Sequence, residues 1–230
     1  MMLIFGLMLL QTAACLDQLC TFDEPYSFKQ CYAALGHKLS LQMKLNPRYS
    51  YLKLYKMLNN DSRLEVCSIK KYNYYESIRN RSEFFKNVSP IINTHESIRN
   101  RSEFFFDNIT LIINNVTRAD SGKYTSFVNE IDMAMESDLQ VIVEAPIGSV
   151  EVSIICSSSG VMRVFCSSEG DHLLYSWTLN GDPLMDGNSS IDLDEGTDGD
   201  ISCSVKNHVS HAQKTIRLKP CSDCNTGSVH

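Results

Sequence analysis

Tryptophan is almost absent from this 230-residue chain, with one copy, and the chain holds only 11 glycines and 6 prolines. So little glycine and proline excludes collagen-like and low-complexity classes. Beyond residue 14 no apolar run is long enough to span a bilayer, and the polar end, Cys221 to His230, lacks the hydrophobic tail of a lipid-anchor signal. Basic residues are scarce in the second part. Residues 1–143 carry 16 basic and 15 acidic groups, residues 144–230 carry 5 and 12, so the two parts have net charges of +1 and −7, which argues against a nucleic-acid partner. No serine sits in a Gly-x-Ser-x-Gly elbow and no cysteine has a thiol-protease context, so no enzymatic reading is favoured. His208-x-x-His211 with Cys221-x-x-Cys224 resembles zinc spacing, but Cys221 has a better partner in Cys156. The seven acids from Asp182 to Asp200 miss the register of an EF-hand loop, because Gly196 stands where a ligand belongs. No metal or other cofactor is expected.

What the chain does contain is organised around Cys166, Trp177 and Cys203. The tryptophan follows the first cysteine by eleven residues, and apolar and polar residues alternate around all three. In an immunoglobulin-like sandwich these residues lie on strands B, C and F, with the cysteines joined across the two sheets. That disulfide would contribute about 3–4 kcal/mol in the chain-entropy picture. The fold class expected is all-β, with two tandem immunoglobulin-like β-sandwiches, a variable-type one followed by a short constant-like one. Residues 1–15 read as a secretory signal, since Met1 to Leu10 is apolar and Thr12-Ala-Ala14 suits signal peptidase. Residues 16–143 form the first domain, 144–146 a short stiff linker, 147–221 the second domain, and 222–230 a polar tail.

An oxidising compartment makes disulfides the default for the cysteines. Cys166 pairs with Cys203 in this reading, and Cys156 on strand A with Cys221 on strand G, while the pairing of Cys20, Cys31, Cys67 and Cys224 stays open. Asparagines in Asn-x-Ser/Thr sequons at Asn60, Asn80, Asn100, Asn108, Asn115 and Asn188 are candidate glycosylation sites; Pro90 after Ser89 weakens a further one at Asn87.

In the first domain the segment from Cys20 to Cys31 reads as strand A, Lys38–Met43 as strand B, Tyr51–Lys56 as strand C and Leu64–Ile69 as the next strand. Glu76 to Phe85 then recurs without change as Glu96 to Phe105. Two copies are too few for a solenoid. The second leads directly into Leu111–Val116, so it is read as the native D–E hairpin. The first, with Pro90 where the second has Leu111, is read as an exposed insertion over residues 76–95. Asp120-Ser-Gly-Lys-Tyr124 has the form of a tyrosine corner, whose Asp is expected to meet Arg99 or Arg101. Ser126 and Leu41 occupy the positions of the B–F cysteines, so this domain lacks that disulfide. Residues from Phe127 to Asp138 are assigned to the rest of strand F and its turn, and Leu139–Val143 to strand G.

The second domain, with Cys156 ten residues before Cys166, then Tyr-Ser-Trp-Thr-Leu-Asn-Gly-Asp-Pro-Leu184, Ile-Ser-Cys-Ser-Val-Lys-Asn-His-Val-Ser210 and a closing Cys221, resembles the membrane-proximal domain of the signalling lymphocytic activation molecule (SLAM) family. The first domain is similar to that family's distal one, which also lacks its internal disulfide. The resemblance implies a leukocyte surface glycoprotein, extracellular and on the external side of the plasma membrane, that mediates adhesion and co-stimulation by binding another immunoglobulin-superfamily receptor in trans, homophilically or heterophilically. It implies a binding face comprising Lys53, Tyr55, Phe127, Asn129, Glu130 and Asp132. The alternative is a secreted soluble decoy that blocks such receptors.

Overall fold

The computed structural model describes residues 16–22, 28–44, 49–58, 62–70, 90–91, 96–105, 107–130, 134–158 and 160–221. The signal segment, most of the first repeat copy, Asn60, Asn80, Asn87, Asp132, Cys224 and the polar tail lie outside the described residues.

The first half contains β1 (Gln18–Phe22), β2 (Phe28–Ala34), β3 (Leu39–Met43), β4 (Tyr49–Met57), β5 (Arg63–Lys70), β6 (Pro90–Ile91), the single-turn helix α1 (Glu96–Arg99), β7 (Ser102–Phe105), β8 (Thr110–Ile113), a 3-10 turn at Arg118–Asp120, β9 (Gly122–Glu130) and β10 (Ala134–Glu144). One sheet has the order β1-β3-β8-β7 and the other β2-β10-β9-β4-β5-β6. Period-two alternation decides which side chains enter the space between them. Leu39, Leu41, Leu52, Leu54, Ile113, Leu139 and Val141 are all fully buried there.

Two boundaries differ from the sequence expectation. Strand A is two strands: β1 runs parallel to β3 in one sheet and β2 parallel to β10 in the other. Pro25 falls between them, and a residue with no N–H to donate and a fixed φ favours such a break. The disulfide Cys20–Cys31, with Cα atoms 6.0 Å apart, then joins one sheet to the other. Strand G begins at Ala134 rather than Leu139, paired with Asn129 of β9. The polar run Glu136-Ser-Asp138 hides the alternation there, because this end of β10 has no buried face.

The second repeat copy supplies α1 and the hairpin β7–β8, with Ile98 buried in the core. Of the first copy, Pro90 and Ile91 alone are described, as a bridge on the outer edge of β5. A proline at the start of a short edge strand costs no ladder hydrogen bond.

The second half contains β11 (Glu151–Cys156), β12 (Val161–Ser167), β13 (Leu174–Leu179), β14 (Asp182–Asp186), β15 (Ser190–Asp194), β16 (Gly199–Lys206) and β17 (His211–Leu218). Its sheets have the orders β11-β12-β15 and β14-β13-β16-β17. Trp177, opposite Cys203 in register, is fully buried against the Cys166–Cys203 disulfide, and Cys156–Cys221 closes a second bridge. The β13–β14 turn needs positive φ at Asn180 and Gly181, and the Asn180 side chain accepts the Asp200 N–H at 2.9 Å. Gly199 at φ +142° makes room for it, since a Cβ there would lie 2.5 Å from the Asn180 carboxamide oxygen.

The halves meet in a dense polar junction. Glu144, read from sequence as linker, is the last residue of β10 and is almost fully buried. Its carboxylate contacts His208 Nδ1 at 2.8 Å and accepts the His208 N–H at 3.2 Å, while the His208 ring stacks on Tyr32 with centroids 3.8 Å apart. Asp171 accepts the Ala145 N–H at 2.6 Å and pairs with Arg118. Asn207 donates to the carbonyls of Ala145 and Asp171 at 2.8 and 3.0 Å. These bonds hold the chain between the two halves at Glu144, Ala145 and Ile147.

Candidate protein-interaction face

The sheet containing β10, β9, β4 and β5 buries Leu52, Leu54 and Val128 inward and presents the alternate residues outward. Lys53 lies directly opposite Phe127, Tyr51 opposite Asn129, and Tyr55 opposite Thr125. Lys53, Tyr55, Phe127 and Asn129 are therefore brought onto one surface. Glu130 ends β9, with its side chain outside the described residues, as is Asp132.

Cross-strand register adds residues that the sequence did not put in the site. Tyr51 stacks on Phe127 with ring centroids 5.9 Å apart, so an aromatic pair spans β4 and β9. Lys53 donates to Glu65 at 3.0 Å, and that hydrogen bond raises the lysine pKa above its ordinary value. Arg63 extends over the Tyr55 ring, 5.8 Å from its centroid, to Glu136 at 3.7 Å. Lys123 pairs with Asp138 at 2.7 Å, and Asp138 also accepts the Thr125 hydroxyl. Three cations thus face three carboxylates on this surface around a band of Tyr51, Tyr55 and Phe127. Lys53–Glu65 bridges β4 to β5, Lys123–Asp138 bridges β9 to β10, and Arg63–Glu136 reaches from β5 to β10 past the two strands between them, so only the folded pairing reveals them. Their partial exposure limits the stability they contribute to roughly 0–1 kcal/mol each. They order the long side chains around the rings.

The corner that feeds β9 fixes this surface. Tyr124 donates its hydroxyl to the Asp120 carbonyl at 2.9 Å. The Asp120 carboxylate receives two Arg101 hydrogen bonds, at 2.7 and 2.9 Å, with the Thr117 N–H at 2.7 Å and the Thr117 hydroxyl at 3.0 Å. Burial opposes its charge, but the Arg101 and Thr117 bonds outweigh that and hold its pKa below the ordinary carboxylate value. Of the two expected arginines, Arg101 makes the contact. Lys56, opposite Tyr124, donates to the Ala119 carbonyl and lies over the Tyr124 ring, and its burial lowers its pKa.

Cys67 on β5 is a buried free thiol, whose removal from water pushes its pKa up to about 12. Among the described sequons, Asn100, Asn108, Asn115 and Asn188 are exposed. Among the described residues no group of three His, Cys, Asp or Glu side chains is arranged to hold a metal, and no helix is long and apolar enough to cross a membrane.

Neither a protein-family model nor a curated protein sequence matches this chain. Solved structures do share its fold. The CD2-binding domain of CD58 (lymphocyte function-associated antigen 3) aligns at 12% identity and a TM-score of 0.59, covering 84% of this chain and 98% of that one. Murine CEACAM1b aligns at 17% identity and a TM-score of 0.59 over 82% of this chain and 94% of that one. A chain from the complex of a mouse coronavirus receptor-binding domain with its murine receptor aligns at 15% identity and a TM-score of 0.57, over 82% and 94%. At these identities the likeness is one of fold, that of tandem immunoglobulin-like sandwiches.

Proposed function

We infer that this chain is the ectodomain of a cell-surface adhesion receptor of the immunoglobulin superfamily, similar to the SLAM family, and that it binds a related receptor on another cell through the outward face of β10, β9, β4 and β5. The observation that carries this reading is the aromatic band of Tyr51, Tyr55 and Phe127 set among the Lys53–Glu65, Arg63–Glu136 and Lys123–Asp138 pairs. Interfaces draw affinity from a few such rings, and charged rims fix orientation and exclude wrong partners. Micromolar affinity, about −8 kcal/mol, suffices where many copies engage between two surfaces. Among proteins of this fold, the aligned CD58 domain is itself described as binding CD2. The three disulfides and the exposed sequons fit an extracellular setting. No enzymatic role is proposed.

The test is a binding screen of the two-domain protein against immunoglobulin-superfamily ectodomains, repeated with Phe127→Ala and Tyr55→Ala and with Leu19→Ser on the opposite sheet as control. Loss of binding at least tenfold for the first two, with the control unchanged, is expected. Equal affinity across all three variants contradicts the assignment.

A further inference from the structure

The second sandwich has an open side. Its sheets end there in β15 and β14, and among the described residues each of these strands has a hydrogen-bonded neighbour on one flank only. Such edges present main-chain donors and acceptors that invite foreign strands unless something covers them. Between the two edges runs a groove of about 670 Å³, lined by Leu184 of β14, Asn188 of the connecting loop, Ile191 and Leu193 of β15, and the Arg163–Asp192 pair. Its size falls within the roughly 300–1,000 Å³ of sites that hold small organic groups. Leu184 is 42% exposed there.

The asparagine at this groove begins the sequon Asn188-Ser189-Ser190, and its main chain is pinned from both sheets. Gly187 donates its N–H to the Tyr175 carbonyl at 2.8 Å, the Trp177 indole N–H donates to the Asn188 carbonyl at 2.9 Å, and Cys166 donates to the Ser189 carbonyl at 2.8 Å. The exposed Asn188 side chain is thus set at the groove on a fixed backbone. Arg163 and Asp192 make a two-pronged pair, at 2.6 and 2.7 Å, with both side chains about half exposed, so each keeps polar capacity toward the groove.

We propose that the N-linked glycan of Asn188 folds back into this groove, placing its innermost N-acetylglucosamine against Leu184 and Leu193 and its hydroxyl and acetamide groups against Arg163 and Asp192. The inference rests on the extracellular reading above, because the sugar is added in the secretory pathway. There the Asn188 amide nitrogen bonds to the anomeric carbon of a lipid-linked oligosaccharide, the bond to the lipid diphosphate breaks, and the amide loses one proton. A pyranose has an apolar C–H face and a polar rim, which matches a groove with leucines on one side and an ion pair on another. Seated there, the sugar covers the edges of β14 and β15 together and acts as a strap across the open side.

The protein carries its own probe, since Trp177 is its single tryptophan and lies in this sandwich. The full chain is secreted from a glycosylating cell line, the glycans are trimmed to one sugar per site, occupancy at Asn188 is read by peptide mass, and urea unfolding is followed by Trp177 emission. Native protein, Asn188→Gln, Leu184→Ser and the double variant form a cycle. Asn188→Gln should raise the unfolding constant about fourfold or more in the native background, the factor for one buried methylene-sized group, and much less once Leu184 is Ser. Occupancy at Asn188 with equal effects in both backgrounds, or with no effect, overturns the proposal. Glycans at other sequons but none at Asn188 also overturn it. A chain with no glycan at any sequon overturns it together with the extracellular reading.

Discussion

Replacing Asp120 by Asn keeps the side chain's shape and removes its charge. The carboxylate is 3% exposed and accepts four hydrogen bonds, two of them from Arg101, which is itself 19% exposed. Breaking one member of a buried ion pair costs about 3–5 kcal/mol, because the other is left uncompensated. Arg101 retains some contact with water and the amide oxygen can still accept one donor, so about 2–3 kcal/mol is expected. In a domain of this size that lowers Tm by roughly 8–15 °C. The first sandwich has no tryptophan, so its transition is followed by tyrosine emission or calorimetry, and the Trp177 transition of the second sandwich should stay in place.

The same residue predicts a pH dependence. Its folded pKa is depressed, so the unfolded chain binds the extra proton first. The contribution is fully present above the ordinary Asp value near 3.9 and is lost as pH falls through the lower folded value. Asp120→Asn should flatten that acid limb. Arg101→Ala should cost a similar amount. A loss under about 0.5 kcal/mol for Asp120→Asn, or an unchanged acid limb, refutes the reasoning.

Three further outcomes follow from the packing. Replacing Cys20 and Cys31 by Ala should destabilise the first sandwich by about 3 kcal/mol, the chain-entropy value for so short a loop, as measured by denaturant midpoint; no change means that the bridge between sheets is dispensable. Gly199→Ala should cost about 2 kcal/mol or more, seen in the Trp177 transition, since its Cβ meets the Asn180 carboxamide at positive φ; an unshifted transition contradicts the close approach. His208→Ala with Asp171→Ala removes the ring stack on Tyr32 and the bond to Ala145 while leaving both cores intact. Proteolysis between residues 144 and 148 should then accelerate several-fold, and an unchanged rate means that those contacts do not hold the junction.

Different kinds of signal made parts of this structure readable in the sequence and kept others hidden. β12 is legible as a strand because Met162, Val164 and Cys166 enter the core in strict period two. Arg101 and Tyr124 meet Asp120 because the corner is a local motif with fixed spacing. The division of strand A between two sheets was not readable, since it depends on which edge each piece reaches after Pro25, and the Cys20–Cys31 bridge depended on that. The start of β10 was hidden because Glu136 and Asp138 face outward among other charges. On the candidate face, Lys53, Tyr55, Phe127 and Asn129 came from the family resemblance, whereas Tyr51's stack on Phe127 and the reach of Arg63 to Glu136 require the register between strands. Glu144 read as linker because a charged residue before Ala-Pro has no local sign that His208, 64 residues away, will cover it.

Footprinting of the bound face tests the central claim most directly. The two-domain protein is oxidatively labelled alone and in complex with whichever ectodomain the screen returns, and protection is read peptide by peptide. The account predicts that Tyr51, Tyr55 and Phe127 lose reactivity on binding while Leu19 and Phe105, on the opposite sheet, keep theirs. Protection centred on Leu19 and Phe105, or on the second sandwich, with the three rings still reactive, would contradict it.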